Sequence, residues 1–128
     1  MKVSSKKSKG RRLQQRVRND LRLIGKNHGL VDADILSTPM SVAGVDTQFS
    51  PAALKVFPLD IESKNTEKLN VVGVFQTHFE KYRASDRIKL LVHSRNRTEP
   101  MVTLRWEDFL KLVEVWVREK ELETEDKN

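Results

Sequence analysis

The stretch Leu59-Asp60-Ile61-Glu62-Ser63-Lys64 decides how the chain folds. Apolar and charged residues alternate along it, and in a β-strand this period of two places Asp60, Glu62 and Lys64 on one face. The intervening apolar side chains then enter a core. The pattern therefore predicts a strand over residues 59–64 whose charged face can hold a divalent metal ion.

A second acid, Asp46, lies sixteen residues before Glu62, where Gly44 allows the backbone to turn before an extended run. An acid followed at a distance by Glu-x-Lys is typical of metal-dependent phosphodiesterases. Magnesium prefers carboxylate and water oxygens, and Asp46 and Glu62 would supply the carboxylates. Lys64 would hold the attacking water in line and offset charge in the transition state. The same alternation also occurs on strands with one solvated face, so the pattern alone leaves a structural interpretation open.

Composition narrows the class of protein. The chain has 128 residues, of which 38% are hydrophobic and 33% charged, which favours one globular domain. It contains no cysteine, which excludes disulfides and thiolate zinc sites. No apolar run is long enough to span a membrane, so we expect a cytoplasmic protein without a membrane partner.

The net charge of +6 and the basic N-terminal region favour binding to a phosphate backbone, although such a run is also compatible with simple solvation.

Periodicity predicts an α/β protein in which helices flank a small mixed sheet. We expect a mobile basic arm over residues 1–9, a single domain over 10–118 and an acidic, frayed tail over 119–128. The predicted elements are a cationic amphipathic helix from Gly10 to near Gly29, a loop over 30–43, a strand over 45–49, a short helical turn from Pro51, the strand over 59–64, a helix over about 69–83, a hairpin of 88–94 with 101–104, and a helix from Trp106 to about Glu121. In that last helix, Phe109, Val113 and Trp116 are expected to face inwards, and both tryptophans are assigned to core packing.

Several co-linear motifs resemble the PD-(D/E)XK nuclease superfamily. They are Ser8-Lys9-Gly10-Arg11-Arg12-Leu13, Gly44-Val45-Asp46, Ser50-Pro51-Ala52-Ala53, Phe57-Pro58-Leu59-Asp60-Ile61-Glu62-Ser63-Lys64-Asn65 and Leu69-Asn70-Val71. Within the superfamily, they are similar to small phage- and prophage-encoded proteins described as Holliday-junction-resolvase-like nucleases. The resemblance covers about residues 8–113.

The resemblance implies that the predicted elements, in the order α-β-β-α-β-β-α, form a restriction-endonuclease-like core that cuts DNA endonucleolytically with Mg²⁺ or Mn²⁺. Asp46 and Glu62 would be metal ligands and Lys64 the catalytic lysine. It also implies a homodimer acting on branched, junction or nicked DNA in recombination, in a bacterial or phage-infected cytosol. One departure is that the first helix offers Gln14 and Gln15 where resolvases often place a glutamate.

Further residues are candidates for supporting roles. Asp60, Gln14 and Gln76 are possible polar neighbours of the metal ligands, although Gln76 is also compatible with a plain exposed position. The candidate DNA contacts are Lys9, Arg11, Arg12, Arg16, Arg95 and Arg97. Two other functions stay open at this point: a non-catalytic DNA-binding module on a nuclease scaffold, and a small interaction protein that uses its basic arm against an acidic partner.

Overall fold

The computed structural model describes residues 2–39 and 44–127, and within them the chain is a mixed α/β protein. The helices are α1 (Lys2–Lys26), α2 (Pro51–Val56), α3 (Val71–Thr77) and α4 (Trp106–Lys127), with 3₁₀ turns at Asp32–Asp34 and Phe79–Tyr82. The strands are β1 (Ile35–Ser37), β2 (Thr47–Phe49), β3 (Leu59–Asn65), β4 (Ile88–Ser94) and β5 (Met101–Thr103).

Helix α1 begins at Lys2, eight residues before the predicted start at Gly10. Where a mobile arm was predicted over residues 1–9, the described part of that segment is helical. Lysine is a good helix former, and the first glycine of the chain is Gly10, which costs a helix only about 1 kcal/mol. The helix ends at Lys26, and Gly29 follows it with a φ of +80°, a conformation that favours glycine.

The strands form two small sheets rather than the single sheet that was expected. Antiparallel β1 and β2 make one sheet, and the other has the order β3-β4-β5. Strand β1 is missing from the prediction, which has a loop over 30–43; of that loop, residues 40–43 lie outside the described residues. The acids before β1 and Pro39 after it favour a loop, and its three residues show no clean period of two. The other boundaries of the strands agree with the prediction to within two residues.

Parallel pairing of β3 with β4 places residues in register, so that Glu62 lies beside Leu91 and Lys64 beside His93. The connection between these strands is a crossover made of α3 and the second 3₁₀ turn, where one continuous helix over about 69–83 was predicted. Strand β5 then returns antiparallel to β4, which confirms the predicted hairpin.

The two faces of β3 meet different elements. Leu59 and Ile61 line an apolar groove together with Leu13 and Val17 of α1, so α1 packs on the apolar face. On the other face, the crossover packs a cluster of Val74, Phe79 and Leu91 next to the charged side chains. A second cluster of Ile35, Ala53 and Phe57 joins the small sheet to α2. The charged face of β3 therefore points towards the crossover.

The prediction that α4 closes the core is wrong. Phe109 is 43% exposed and Trp116 62% exposed, and Trp106 at the start of the helix is 69% exposed; only Val113 is half-buried. The helix continues to Lys127, through the predicted frayed tail. Its first turn is anchored by Asp108, whose Oδ2 accepts a long hydrogen bond of 3.5 Å from the backbone N–H of Lys89. Among the described residues, no helix has the length and apolar character required to span a bilayer.

Candidate functional site

Asp46 is held between the two sheets by its backbone and its side chain. Its N–H donates a hydrogen bond of 3.0 Å to the carbonyl of Ile61, and its Oδ2 accepts one of 2.7 Å from the N–H of Ser63. Its own carbonyl accepts a hydrogen bond from the N–H of Thr38 at 2.9 Å. Because the first two bonds flank position 62, the Asp46 carboxylate is fixed beside Glu62.

Glu62 is 4% exposed, and its carboxyl lies next to that of Asp46. The pKa of Glu62 is raised from 4.5 to about 8, first by burial and then by the negative charge of Asp46 and the hydrogen bond between the two side chains. The positive charges of Lys64 and Lys81 act in the opposite direction. Two adjacent carboxyls with little access to water need a shared proton or a cation between them.

Lys64 is half-buried on the same face of β3, two residues beyond Glu62. It is close enough for its positive charge to lower the pKa of Glu62. The structure thus brings together the side chains of Asp46, Glu62 and Lys64, as the sequence predicts. The site consists of two acidic side chains with the ammonium group of Lys64 at its edge. It is formed where the start of β2 meets the middle of β3.

Asp60, a candidate polar neighbour of the metal ligands, forms ion pairs with Lys89 and Arg87. Its Oδ2 lies 3.1 Å from Lys89 Nζ and its Oδ1 lies 3.2 Å from Arg87 Nη1. Lys89 Nζ also donates hydrogen bonds to the carbonyls of Ser85 at 3.0 Å and Arg87 at 2.7 Å. Asp60 and Lys89 are both almost completely buried. The register of β3 with β4 causes this pairing, because it sets Asp60 opposite Lys89.

The crossover brings three further polar side chains to the site that the sequence did not indicate: His78, Lys81 and Tyr82. Burial raises the pKa of Tyr82, and the charges of Glu62, Asp60 and Asp46 also raise it. Burial lowers the pKa of His78, with further lowering by Lys64 and Lys81 against an opposing effect of Asp46. Tyr82 is one of the periodic apolar residues that predict the helix over 69–83. Its place in that pattern indicated a core position and no role in the site.

The candidate glutamines are not part of this arrangement. Gln76 is exposed on α3, and Gln14 is buried on α1, which approaches β3 from its apolar face. In the described part of the chain, no hydrogen bond links Gln14 or Gln76 to either carboxylate. The polar neighbour from this part of the chain is His78, which directly follows α3 and lies two residues beyond Gln76.

The candidate DNA contacts lie on α1 and in the turn between β4 and β5. Lys9 and Asn96 line a groove of about 470 Å³ with the loop of residues 65–68, which follows Lys64 directly. Arg95 and Arg97 flank Asn96 in the β4–β5 turn, and both are exposed. Arg11 and Arg12 are exposed on α1. Arg16 instead points to two acids, with its guanidinium 3.7 Å from Asp20 and 3.6 Å from Glu99. The groove carries two lysines, Lys9 and Lys68, and one acid, Glu67, and its lining begins at Asn65, the residue after Lys64.

Among the residues with described positions, no group of three or more His, Cys, Asp or Glu side chains is arranged to hold a metal ion. The site instead offers one pair of carboxylates. No family model matches the chain, and no curated protein or solved structure is significantly similar to it.

Proposed function

We propose that the protein is a divalent-metal-dependent endonuclease that hydrolyses DNA phosphodiester bonds, with a preference for branched, junction or nicked DNA. In this proposal, α1, β2 and the β3-β4-β5 sheet with its crossover correspond to a restriction-endonuclease-like core. The observation that carries the proposal is the placement of the Asp46 carboxylate beside the buried carboxyl of Glu62, with Lys64 next to both.

The donor set fits a hard divalent cation. Both carboxyls offer oxygen ligands, and the Ser63 N–H orients the Asp46 carboxylate through its Oδ2. Mg²⁺ is commonly held by only one or two protein carboxylates together with water and substrate phosphate. When bound, such a cation would activate a water molecule and neutralise charge on the phosphoryl oxygens.

The remaining chemistry belongs to the side chains of this chain. Asp46 and Glu62 would give up their shared proton in favour of the cation. Lys64 would donate hydrogen bonds to a non-bridging phosphate oxygen and stabilise the charge that develops there. Tyr82 and His78, both half-buried, would flank the site on the side of the crossover.

The groove next to the site supports binding of a nucleic acid backbone. Lys9, Arg95 and Arg97 can contact phosphates on one side, and Arg11 and Arg12 extend the positive charge along α1. A strand that follows this groove passes the end of β3, where Lys64 lies. From the resemblance to phage resolvases, we propose that this activity takes place in the cytosol of a bacterium or an infected host.

Nicking of supercoiled plasmid and cleavage of a four-way junction test the proposal, in Mg²⁺ or Mn²⁺ and in chelator. The wild type should cut only with metal, and Glu62→Ala and Lys64→Ala should abolish cutting. Glu80→Ala is a matched control, because Glu80 is an exposed acid paired with Arg83 on the surface. Equal activity in the wild type and the two site variants would contradict the proposal.

A non-catalytic DNA-binding module is the second candidate, and Gln14 and Gln15 favour it because neither supplies a negative charge to the site from α1. This alternative predicts binding that weakens with salt but no cleavage in any divalent ion.

A further inference from the structure

Helix α4 has almost no partner in the described chain. From Phe109 to Asp126, every residue except Val113 is exposed. The exposed large apolar side chains of this helix are Trp106, Phe109, Leu110, Leu112, Val115, Trp116, Val117 and Leu122. A helix with so many apolar side chains is normally buried, and its own propensity does not stabilise it in water.

The size of this surface matches one half of a protein interface. Six of these side chains share one broad side of the helix, whereas Val115 and Leu122 lie on the other. From their exposed fractions, the six leave roughly 600 Å² in water, which is the lower end of the area that each partner contributes to a standard interface. A monomer rarely exposes an apolar patch larger than a few hundred Å². The helix therefore has enough apolar area for a stable protein contact.

The order of the residues indicates what covers it. Phe109, Leu112, Val113 and Trp116 follow the spacing of a helix-pairing seam, and they are symmetric about the point between Leu112 and Val113. Two antiparallel copies would place Phe109 against the partner's Trp116 at both ends of this apolar seam. The seam is thus complementary to itself.

Charge favours the antiparallel arrangement. Five acids crowd the end of the helix, at Glu119, Glu121, Glu123, Glu125 and Asp126. Parallel helices would set these acids side by side, whereas antiparallel helices move them to opposite ends. The charge of α4 also argues against a lipid surface, since its eight acidic and four basic residues differ from the Lys/Arg-rich polar face of helices that bind membranes.

We propose that a second copy of this chain covers α4, with the two α4 helices packed antiparallel about a twofold axis near Leu112 and Val113. The exposed Trp116 of each copy then becomes an interface anchor. This inference is independent of the proposed nuclease activity, because α4 supplies none of the residues of the candidate site.

Sedimentation equilibrium over a wide range of concentrations tests the dimer. The wild type should have twice the 14.8 kDa mass of the chain. The double variant Leu112→Glu with Trp116→Glu introduces two charges into the seam, and it should weaken dimerisation by more than about tenfold. Leu122→Glu is the matched control, since it makes the same change on the same helix outside the seam, and it should stay dimeric. A monomeric wild type, including one that binds lipid vesicles instead, would overturn the inference.

Disulfide trapping tests the arrangement of the helices without relying on a destabilising variant. The chain has no cysteine, so single cysteines report on single positions. Leu112→Cys lies near the proposed axis and should form a crosslinked dimer on oxidation. Glu114→Cys on the opposite side of the helix and Glu123→Cys far from the axis should remain monomers on a denaturing gel. Crosslinking of all three to the same extent, or of Glu123→Cys alone, would overturn the antiparallel arrangement.

Discussion

The backbone N–H of Ser63 donates a 2.7 Å hydrogen bond to Asp46 Oδ2, and this contact joins the start of β2 to the middle of β3. The N–H of Asp46 donates in the opposite direction, to the carbonyl of Ile61. Together the two hydrogen bonds hold Asp46 beside Glu62 at the point where the two sheets meet. The Asp46 side chain therefore has a structural role and a proposed metal-binding role, which substitutions can separate.

Substitution of Asp46 separates these roles through stability. Asp46→Asn keeps an oxygen that can accept the hydrogen bond from Ser63, and it removes the charge that opposes Glu62. We expect Asp46→Ala to be less stable than Asp46→Asn by about 1–2 kcal/mol, because only the alanine leaves the Ser63 N–H without its acceptor. Urea denaturation of the two variants measures the difference. Equal stability would mean that the hydrogen bond contributes little to folding.

Stability of the metal-free protein should depend on pH through Glu62. The pKa of Glu62 is raised from 4.5 to about 8 in the folded chain, so the folded state binds a proton that the unfolded state has lost between these values. The contribution of Glu62 to stability is thus greatest below pH 4.5 and is lost as the pH rises towards 8. Glu62→Gln should be more stable than the wild type by about 1–3 kcal/mol at high pH and nearly equal to it in acid. Denaturant unfolding across this range, in chelator, gives the comparison, and a constant difference at every pH would rule out the shift.

The buried pair of Asp60 and Lys89 should be costly to break. Lys89→Met leaves the Asp60 carboxylate buried with only the partly exposed Arg87 beside it, so we expect a loss of about 3 kcal/mol of stability. The double variant Asp60→Asn with Lys89→Met should recover part of this loss. Arg83→Met, which breaks the exposed pair with Glu80, is the control and should change stability by less than about 1 kcal/mol. Additive effects in the double variant would show that the pair is not coupled.

DNA affinity should depend on the basic residues of the groove. Lys9→Ala and Arg95→Ala should each weaken binding of a labelled duplex and reduce the dependence on salt by about one counterion. Arg16→Ala should have a smaller effect, because Arg16 already lies beside Asp20 and Glu99. Fluorescence anisotropy at several salt concentrations, without metal, measures all three. A larger effect of Arg16 than of Lys9 would place the DNA on another surface.

The sequence predicted those strands and turns whose conformation is determined by residues close together in the chain. The alternation over residues 59–64 and the polar turn between β4 and β5 gave the β3 strand and the hairpin, because period and turn residues act within a few positions. The partner of Asp60 could not be predicted this way. It depends on the register between β3 and β4, which a 22-residue connection separates in sequence.

Amphipathic patterns were less informative about what covers a helix. Phe109, Val113 and Trp116 form an apolar stripe whether the partner is the same chain or another molecule, so the sequence placed them in the core although two of them are exposed. The contribution of His78 and Tyr82 to the site was missed for a related reason. The direction in which these two side chains point depends on the break between α3 and the 3₁₀ turn that follows it. The apolar residues recur at helical spacing across this break, so the sequence did not indicate it.

Titration calorimetry with Mn²⁺ tests the central claim most directly, namely that Asp46 and Glu62 together hold a divalent cation. The wild type should bind Mn²⁺ at pH 7 with release of a proton, seen as a heat that changes with the ionisation enthalpy of the buffer. Asp46→Asn and Glu62→Gln should each abolish this binding, and Glu80→Gln should leave it unchanged. Binding of the same strength in all four proteins, or none in the wild type, would contradict the account.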